Sequence, residues 1–319
     1  MRDEYRLFYV ADIHGSERCF RKWLNAASVY QADAILIGGD ISGKLILPIT
    51  DLGGQRYRCE LYGRVVDLDG KEDLARLCHQ QRVAGRYVVV LSPDEKQDYD
   101  ENPQKVSKEL WPRVAADSVR AWVDLAEERL AVLGTSAFVM LGNDDFPELA
   151  DLLVGNHVAN VEGEVTELPG GFEMISLGYS NRTPWDTPRE LDEDDLAKHI
   201  KSMAERLRDP TRAVFNLHCP PYQSGLDEAP ILDADFRPKA GDGGIGTAPV
   251  GSTAVRTALE TYQPMLGLHG HIHECPGSAK IGRTLAINPG SDYGDGILRG
   301  AVLTLSRKKG LRSWQLIQG

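Results

Sequence analysis

Apolar residues along the chain alternate between short continuous runs and helical stripes. Leu7-Phe8-Tyr9-Val10-Ala11 predicts a strand ending on Asp12-Ile13-His14-Gly15. Phe20, Trp23, Leu24 and Ala27 then recur at helical spacing behind Ser16, a suitable N-cap, which predicts a helix to about Tyr30. Ala34-Ile35-Leu36-Ile37 is apolar at every position, as in a strand buried on both faces, and ends on Gly38-Gly39-Asp40. The chain therefore opens as a β-α-β unit with carboxylates at the carboxyl ends of both strands, the edge where open α/β sheets bind ligands.

Residues 44–105 read differently. Lys44 to Thr50, the turn Asp51-Leu52-Gly53-Gly54 and Arg56 to Leu68 resemble a β-hairpin. A helix over about Lys71 to Val83 and a strand at Tyr87-Val88-Val89-Val90-Leu91 follow, and the acidic stretch Asp94 to Asn102 reads as an exposed loop. This segment is expected to form an inserted, cap-like ββαβ lobe, with residues 1–43 and 106–319 forming the main body. Val119, Trp122, Leu125, Ala126 and Leu130 predict a helix over about Ala115 to Leu133, stopped by Gly134.

Ser136 to Leu141 predicts a strand ending on Gly142-Asn143-Asp144-Asp145, and further strand signals occupy 157–179. The acidic run Glu190 to Asp195 suits a helix N-terminus, with that helix running to about Arg208. Ala213 to Leu217 predicts a strand ending on His218. A Gly-rich loop, Gly241 to Gly251, precedes a helix over about Ser252 to Tyr262, and Met265 to Leu268 leads into His269-Gly270-His271-Ile272-His273. Strands at 281–287, 300–305 and 312–317 close the chain.

Five strands thus end on clusters of His, Asp or Asn, and in sheets those ends converge on one edge. Loops on a rigid scaffold bearing such residues are what a metal site requires. Imidazole with carboxylate suits Mn, Fe, Zn, Ni or Co, and the lack of thiolates argues against a structural zinc cage.

In this order, Asp12-Ile13-His14, Gly39-Asp40, Gly142-Asn143-Asp144, His218 and Gly270-His271-Ile272-His273 resemble the calcineurin-like metallophosphoesterases. Ile287-Asn288-Pro289-Gly290-Ser291 also looks like that superfamily. The resemblance implies an αββα four-layer sandwich of two mixed β-sheets, here with the inserted lobe. It implies a metal-dependent phosphoesterase with two divalent metal ions, Mn favoured, and a bridging hydroxide. Asp12, His14, Asp40 and His273 would hold one ion, and Asp40, Asn143, His218 and His271 the second, with Asp40 bridging. The superfamily's usual third motif is Gly-Asn-His, and Asp144 stands where that histidine would be. The departure favours phosphodiesters over monoesters. Asp144 is then either a substitute acid or a residue favoured by the helix start near Phe146-Pro147.

A phosphomonoesterase or nuclease with the same site, and a non-catalytic interaction module on the same fold, are the alternatives. His269 reads as structural, because Gly270 breaks the register that would aim it at His271. His79, His157 and His199 have no partners in the pattern. Cys219 and Cys275 read as small packing residues, and Trp111, Trp122 and Trp185 as packing.

The composition is that of a globular protein: 319 residues, 42% hydrophobic, 26% charged and 7% aromatic. No run approaches the ~18 apolar residues a membrane span needs, and the apolar run after Met1-Arg2-Asp3-Glu4-Tyr5-Arg6 is too short for a signal peptide. These features, with five scattered cysteines lacking any Cys-x-x-Cys pair, fit reduced thiols and a cytoplasmic location. The net charge of −11 argues against a broad nucleic-acid grip but not against a small phosphate-ester substrate, since metal ions can supply the positive charge. The lobe's Arg56, Arg58, Arg64, Lys71, Arg76, Arg82 and Arg86 are interleaved with acids and form no nucleic-acid stripe.

Overall fold

The structure, a computed structural model, describes residues 3–233, 235–241 and 244–319. Met1 and Arg2 of the N-terminal run, and Asp242 and Gly243 of the Gly-rich loop, lie outside the described residues.

The opening unit forms as its pattern dictates. β1 (Glu4–Val10) and β2 (Ala34–Gly38) pair in parallel across α1 (Glu17–Val29), which Ser16 caps by accepting from the Cys19 N–H. Side chains alternate along the strands. Phe8, Val10, Ile35 and Ile37 pack beneath α1, while Leu7, Tyr9, Ala34 and Leu36 face the opposite way. Beyond β2, a separate four-stranded sheet with its helix comprises β3 (Leu45–Asp51), β4 (Arg56–Leu61), β5 (Arg64–Asp69), α2 (Lys71–Val83) and β6 (Arg86–Leu91). Its strand order is β5-β4-β3-β6, with β3 and β6 parallel.

The inserted segment thus has three strands before its helix, not the two of a ββαβ unit. The run read as one strand over Arg56 to Leu68 breaks at Tyr62-Gly63, where both residues take positive φ (52° and 72°) and turn the chain back. Asp94 to Asn102 is also not a loop. α3 (Pro93–Glu101) starts from a capping box, Ser92 accepting from the Glu95 N–H while Glu95 reaches back to the Ser92 N–H. The short α4 (Pro103–Lys105) and a π-turn at Val106–Leu110 lead into α5 (Trp111–Leu133), which starts four residues earlier than its apolar stripe suggests. Gly134 ends it in the left-handed conformation (φ 63°).

Two six-stranded mixed sheets form the body. In the first, β7 (Ser136–Met140) and β8 (Val158–Asn160) extend the parallel set, and β21 (Arg299–Ser306) and β22 (Gly310–Gln318) add antiparallel strands beside β1. The second contains β9 (Val165–Leu168), β10 (Phe172–Leu177), β13 (Val214–Leu217), β18 (Leu266–Leu268), β19 (Gly277–Ile281) and β20 (Thr284–Asn288), in the order β19-β20-β18-β13-β10-β9. The strand expected at 281–287 is therefore a hairpin, β19 turning into β20 at Gly282 (φ 59°). Short strands β11 (Ser180–Asn181), β12 (Glu190–Leu191), β14 (Glu228–Pro230), β15 (Ala240–Gly241), β16 (Gly244–Ile245) and β17 (Thr247–Pro249) lie in the long connections.

Three apolar clusters define the layers. One lies between α1, α5 and the first sheet, where Phe20 stacks on Trp122 at 4.3 Å. A second, with Tyr9, Met140, Met174, Leu266 and Leu303, lies between the sheets. The third packs α6 (Glu193–Ala204) and α7 (Thr253–Tyr262) on the outer face of the second sheet. This is the expected αββα sandwich. A separate small cluster, including Leu47, Ile49, Tyr57 and Leu77, lies within the inserted sheet and α2. Among the described residues no helix is long and apolar enough to cross a membrane.

Candidate metal centre

β1, β2 and β7 run parallel in one sheet, and β13, β18 and β20 in the other, so their carboxyl ends lie at one edge. The loops there are laced together: the Asp12 N–H donates to Gly39 O, His14 N–H to Asp40 O, Gly15 N–H to Ile41 O, and Gly270 N–H to His218 O, at 2.8–3.0 Å. Three motif glycines are needed for close approach. A Cβ on Gly39 would lie 2.5 Å from His218 Nδ1, one on Gly142 2.1 Å from Asp40 Oδ1, and one on Gly270 2.4 Å from Asp12 Oδ2.

The structure brings all eight sequence-predicted residues together. Asp12, His14 and His273 each offer a ligand atom to one group, Asp40, His218 and His271 to a second, and His14, Asp40 and Asp144 to a third that overlaps the first two, the atoms of each group lying within 4.8 Å of one another. Asp40 stands between the groups, its Oδ2 lying 3.5 Å from His14 Nε2 and 3.4 Å from His218 Nε2. Asn143 Oδ1 meets His271 Nδ1 at 2.7 Å and His218 Nε2 at 3.0 Å.

The hydrogen-bond partners show which atoms are left to bind. His218 Nδ1 faces the Gly38 carbonyl at 2.7 Å, which assigns its proton there and leaves Nε2 as the ligand atom. Asn143 turns its NH2 to Thr187 Oγ1 at 2.9 Å, so its oxygen points inward. Two imidazole nitrogens, His14 Nε2 and His273 Nε2, face each other at 3.1 Å, with Asp12 Oδ1 3.5 Å from the latter. Lone pairs directed at shared points with few protons between them fit divalent cations held by N and O ligands.

The titration of these groups follows from the same crowding. Burial alone would lower His218, but the Asp40 carboxylate outweighs it and raises the imidazole to about 9. Burial opposes the ionised form of Asp40 as well, yet His218 and His14 hold that carboxyl well below its usual range. His271, buried and beside His218, is lowered to about 4. His14 is lowered well below its ordinary value by burial and by Lys44.

Asp144 does not cap a helix. Its N–H donates to Asp40 Oδ1 at 3.0 Å and its carboxylate pairs with Lys44, while the 3-10 turn Pro147–Leu152 begins at Phe146 without a side-chain cap. Burial and the Asp40 charge push its carboxyl up to about 6, against the pull of Lys44. His269 stays outside both groups. It is buried with Nδ1 on the carbonyls of Leu217 and Cys219, and Nε2 has no hydrogen-bond partner. Cys219 is buried, its thiol pushed up to about 12 by that burial. Trp185, expected to pack, is exposed and lies against Phe236 at 5.1 Å.

Four residues at the site carry no sequence signal strong enough to find them. Lys44 sits at the start of the inserted sheet. Tyr293 follows the Asn288-Pro289-Gly290-Ser291 run and lays its ring 4.7 Å from His14. Thr187 orients Asn143 from a distant loop. Asp145 was visible only as the last letter of a motif, yet it is fully buried and accepts from Ile41 N, Ser42 N, Ser42 Oγ and Gly142 N.

No family profile matches the chain. It is 29% identical over 167 residues to an uncharacterised protein of Methanocaldococcus jannaschii, a match covering 51% of this chain and 68% of that one. The solved structure of TT1561 from Thermus thermophilus is similar over 99% of this chain and 98% of that one, at 14% identity and a TM-score of 0.54, which shows a shared fold. A solved archaeal phosphodiesterase aligns over 98% of this chain and 99% of that one, at 11% identity and a TM-score of 0.37, too low to carry an argument.

Proposed function

We propose that this chain, folded as the calcineurin-like metallophosphoesterases are, is a metal-dependent phosphoric ester hydrolase acting on small phosphodiesters. The observation that carries the reading is the pair of adjoining ligand groups with Asp40 between them. Asp12, His14, Asp40 and His273 would hold one ion, and Asp40, Asn143, His218 and His271 the other. Two divalent cations held there would supply Lewis-acid polarisation of a phosphoryl oxygen.

The protein's own part is orientation. Gly38 O fixes the His218 tautomer, Thr187 turns the Asn143 oxygen inward, and the backbone N–H of His271 holds the Asp12 carboxylate at 3.0–3.1 Å. Asn143 is a neutral oxygen donor, which limits negative charge near an anionic substrate. The position after it holds Asp144 rather than a histidine able to donate to a leaving group, which supports diesters over monoesters. The mixed N and O donors without thiolate suit Mn, Fe, Zn, Ni or Co, and manganese is the ion we propose among them.

The test is Mn²⁺-dependent hydrolysis of bis-p-nitrophenyl phosphate against p-nitrophenyl phosphate, with EDTA-stripped protein and Asp40→Asn as blanks. Diester turnover should exceed monoester turnover and should fall at least about 100-fold in Asp40→Asn. Metal-dependent cleavage that survives the substitution would refute the site. Protein that binds no Mn²⁺ would favour a non-catalytic interaction module.

A further inference from the structure

We propose that Lys44 binds the substrate phosphoryl group and that its ion-pair partner Asp144 selects a singly charged diester over a doubly charged monoester; this rests on the phosphoesterase reading above. An exposure gradient across the cluster sets the geometry. The His14 and Asp40 side chains are 0% and 2% exposed, whereas His273 is 23%, Asp144 16% and Lys44 40% exposed. The centre is therefore open where His273, Asp144 and Lys44 reach solvent, and Lys44 and Asp144 stand at that opening without being among the proposed ligands.

Lys44 is held there. The residue before it is fixed at both backbone groups, Gly43 N–H donating to Tyr87 Oη at 2.9 Å and Gly43 O accepting from Trp111 Nε1 at 3.0 Å. The lysine side chain, free to extend into solvent, instead folds inward onto Asp144, close enough to Asp40 and Tyr293 for both to raise its pKa against the effect of burial. Asp144 is fixed from two directions, its N–H on Asp40 Oδ1 at 3.0 Å and its Oδ1 accepting from Asn143 Nδ2 at 3.2 Å. The lysine end of the pair is open to solvent, which limits what the pair adds to stability, so stability alone does not account for its position.

Its chemistry does. An ammonium carries three donor hydrogens, and one spent on Asp144 leaves two for phosphoryl oxygens. A phosphodiester spreads one negative charge over two oxygens, and its third position is esterified and neutral. A monoester above pH 7 carries two charges over three oxygens. The fixed Asp144 carboxylate beside the lysine repels that second charge and leaves the diester unpenalised, a repulsive element used for selection.

The experiment uses Mn²⁺-loaded protein at pH 8 with Lys44→Met, Lys44→Arg and Asp144→Asn. The readouts are hydrolysis of the two p-nitrophenyl esters, calorimetric binding of dimethyl phosphate and inorganic phosphate, and Mn²⁺ stoichiometry. Lys44→Met should raise KM for the diester about tenfold with a smaller change in kcat, and Lys44→Arg should recover most of it. Asp144→Asn should lower the diester-to-monoester ratio of kcat/KM about tenfold and tighten inorganic phosphate relative to dimethyl phosphate. An unchanged KM in Lys44→Met, or an unchanged ratio in Asp144→Asn, overturns the proposal. Loss of an Mn²⁺ ion in Asp144→Asn also overturns it, because Asp144 would then be a ligand. If wild-type protein binds Mn²⁺ but cleaves neither ester, the phosphoesterase reading fails while the anion-binding arm still decides on Lys44; if it binds no Mn²⁺, both fall.

Discussion

Asp145 should be a costly carboxylate to remove from this protein, although it is none of the proposed metal ligands. It accepts from Ile41 N at 3.0 Å, Ser42 N at 2.8 Å, Ser42 Oγ at 2.5 Å and Gly142 N at 2.8 Å. Ile41 and Ser42 follow Asp40, and Gly142 precedes Asn143, so one side chain clamps the loops that carry two proposed ligands. Burial and the Asp40 charge push its carboxyl up, and the donors from Ser42 and Gly142 work against that rise. Asp145→Ala leaves four buried donors without an acceptor, each costing about 1–3 kcal/mol, so the low end of the range sums to about 4 kcal/mol. At about 2 °C per kcal/mol for a chain of this size, the melting temperature should drop by about 8 °C. The melt is recorded on EDTA-stripped protein, because a bound ion would add its own stabilisation and hide the effect. Mn²⁺ affinity should fall about 10–100-fold, as for other groups that orient ligands. Asp145→Asn, which keeps the shape but sets an NH2 against backbone N–H groups, should lie between. A variant Asp145→Ala that melts within about 2 °C of wild type would refute the reasoning.

Three further outcomes follow from local geometry. Gly270→Ala should weaken Mn²⁺ binding at least about tenfold in a calorimetric titration, because its Cβ would meet Asp12 Oδ2 at 2.4 Å and Ala11 Cβ at 2.5 Å. Gly53→Ala, with nothing within 4 Å of its Cβ, should leave that affinity unchanged and cost only the backbone strain of φ +77°, about 1–2 kcal/mol. Glu127 accepts from Asn156 N at 3.1 Å and from His157 N and Val158 N at 2.8 Å, and these bonds lower its carboxyl although burial acts the other way. A folded value below the unfolded 4.5 confers stability that is present above that pH and lost as pH falls through the folded value. In urea titrations from pH 7 to 3, Glu127→Gln should therefore lose stability at pH 7 and show a flatter decline below about 4.5; an acid limb as steep as wild type would count against the assignment.

The sandwich was legible because its strands are apolar in runs and its helices carry one-sided stripes, so Ile35 and Leu36 declared a strand buried on both faces before their separate layers were known. The proposed ligand residues were legible for a related reason: each follows such a run by one to five residues, and the ends of parallel strands share an edge. What failed was punctuation without an apolar signal. Tyr62-Gly63 is a two-residue turn inside what reads as one β-rich run, and a tyrosine gives no hint of positive φ. Ser92-Pro93 with Glu95 is a full helix-start signature, but the acidic residues after it and the absence of a buried face made α3 resemble a loop. Lys44, Tyr293 and Thr187 were illegible because they reach the site through tertiary packing, each from a segment whose local sequence is ordinary.

The backbone at the centre bears on function independently of the ligand types. Asp12, His14, Asp40 and His271 all adopt left-handed conformations, with φ of 57°, 38°, 53° and 67°. Non-glycine residues there cost about 1–2 kcal/mol each, and local stability gives no reason to gather four of them at one edge. The loops persist in these conformations because they are over-determined: Asp12 and His14 hydrogen-bond into the Gly39–Asp40 backbone, and the His271 N–H is held by the Asp12 carboxylate. These left-handed residues lie two to four positions beyond the ends of β1, β2 and β18, in the loops where side chains from two separate sheets come within 4.8 Å of one another. The three motif glycines serve the same end, since a Cβ at any of them would intrude on a proposed ligand. Strain in the loops of the proposed ligands, relief at the glycines between them and the Asp145 clamp beneath are therefore parts of one device, and what it brings about is the convergence of lone pairs that the proposed pair of cations would require.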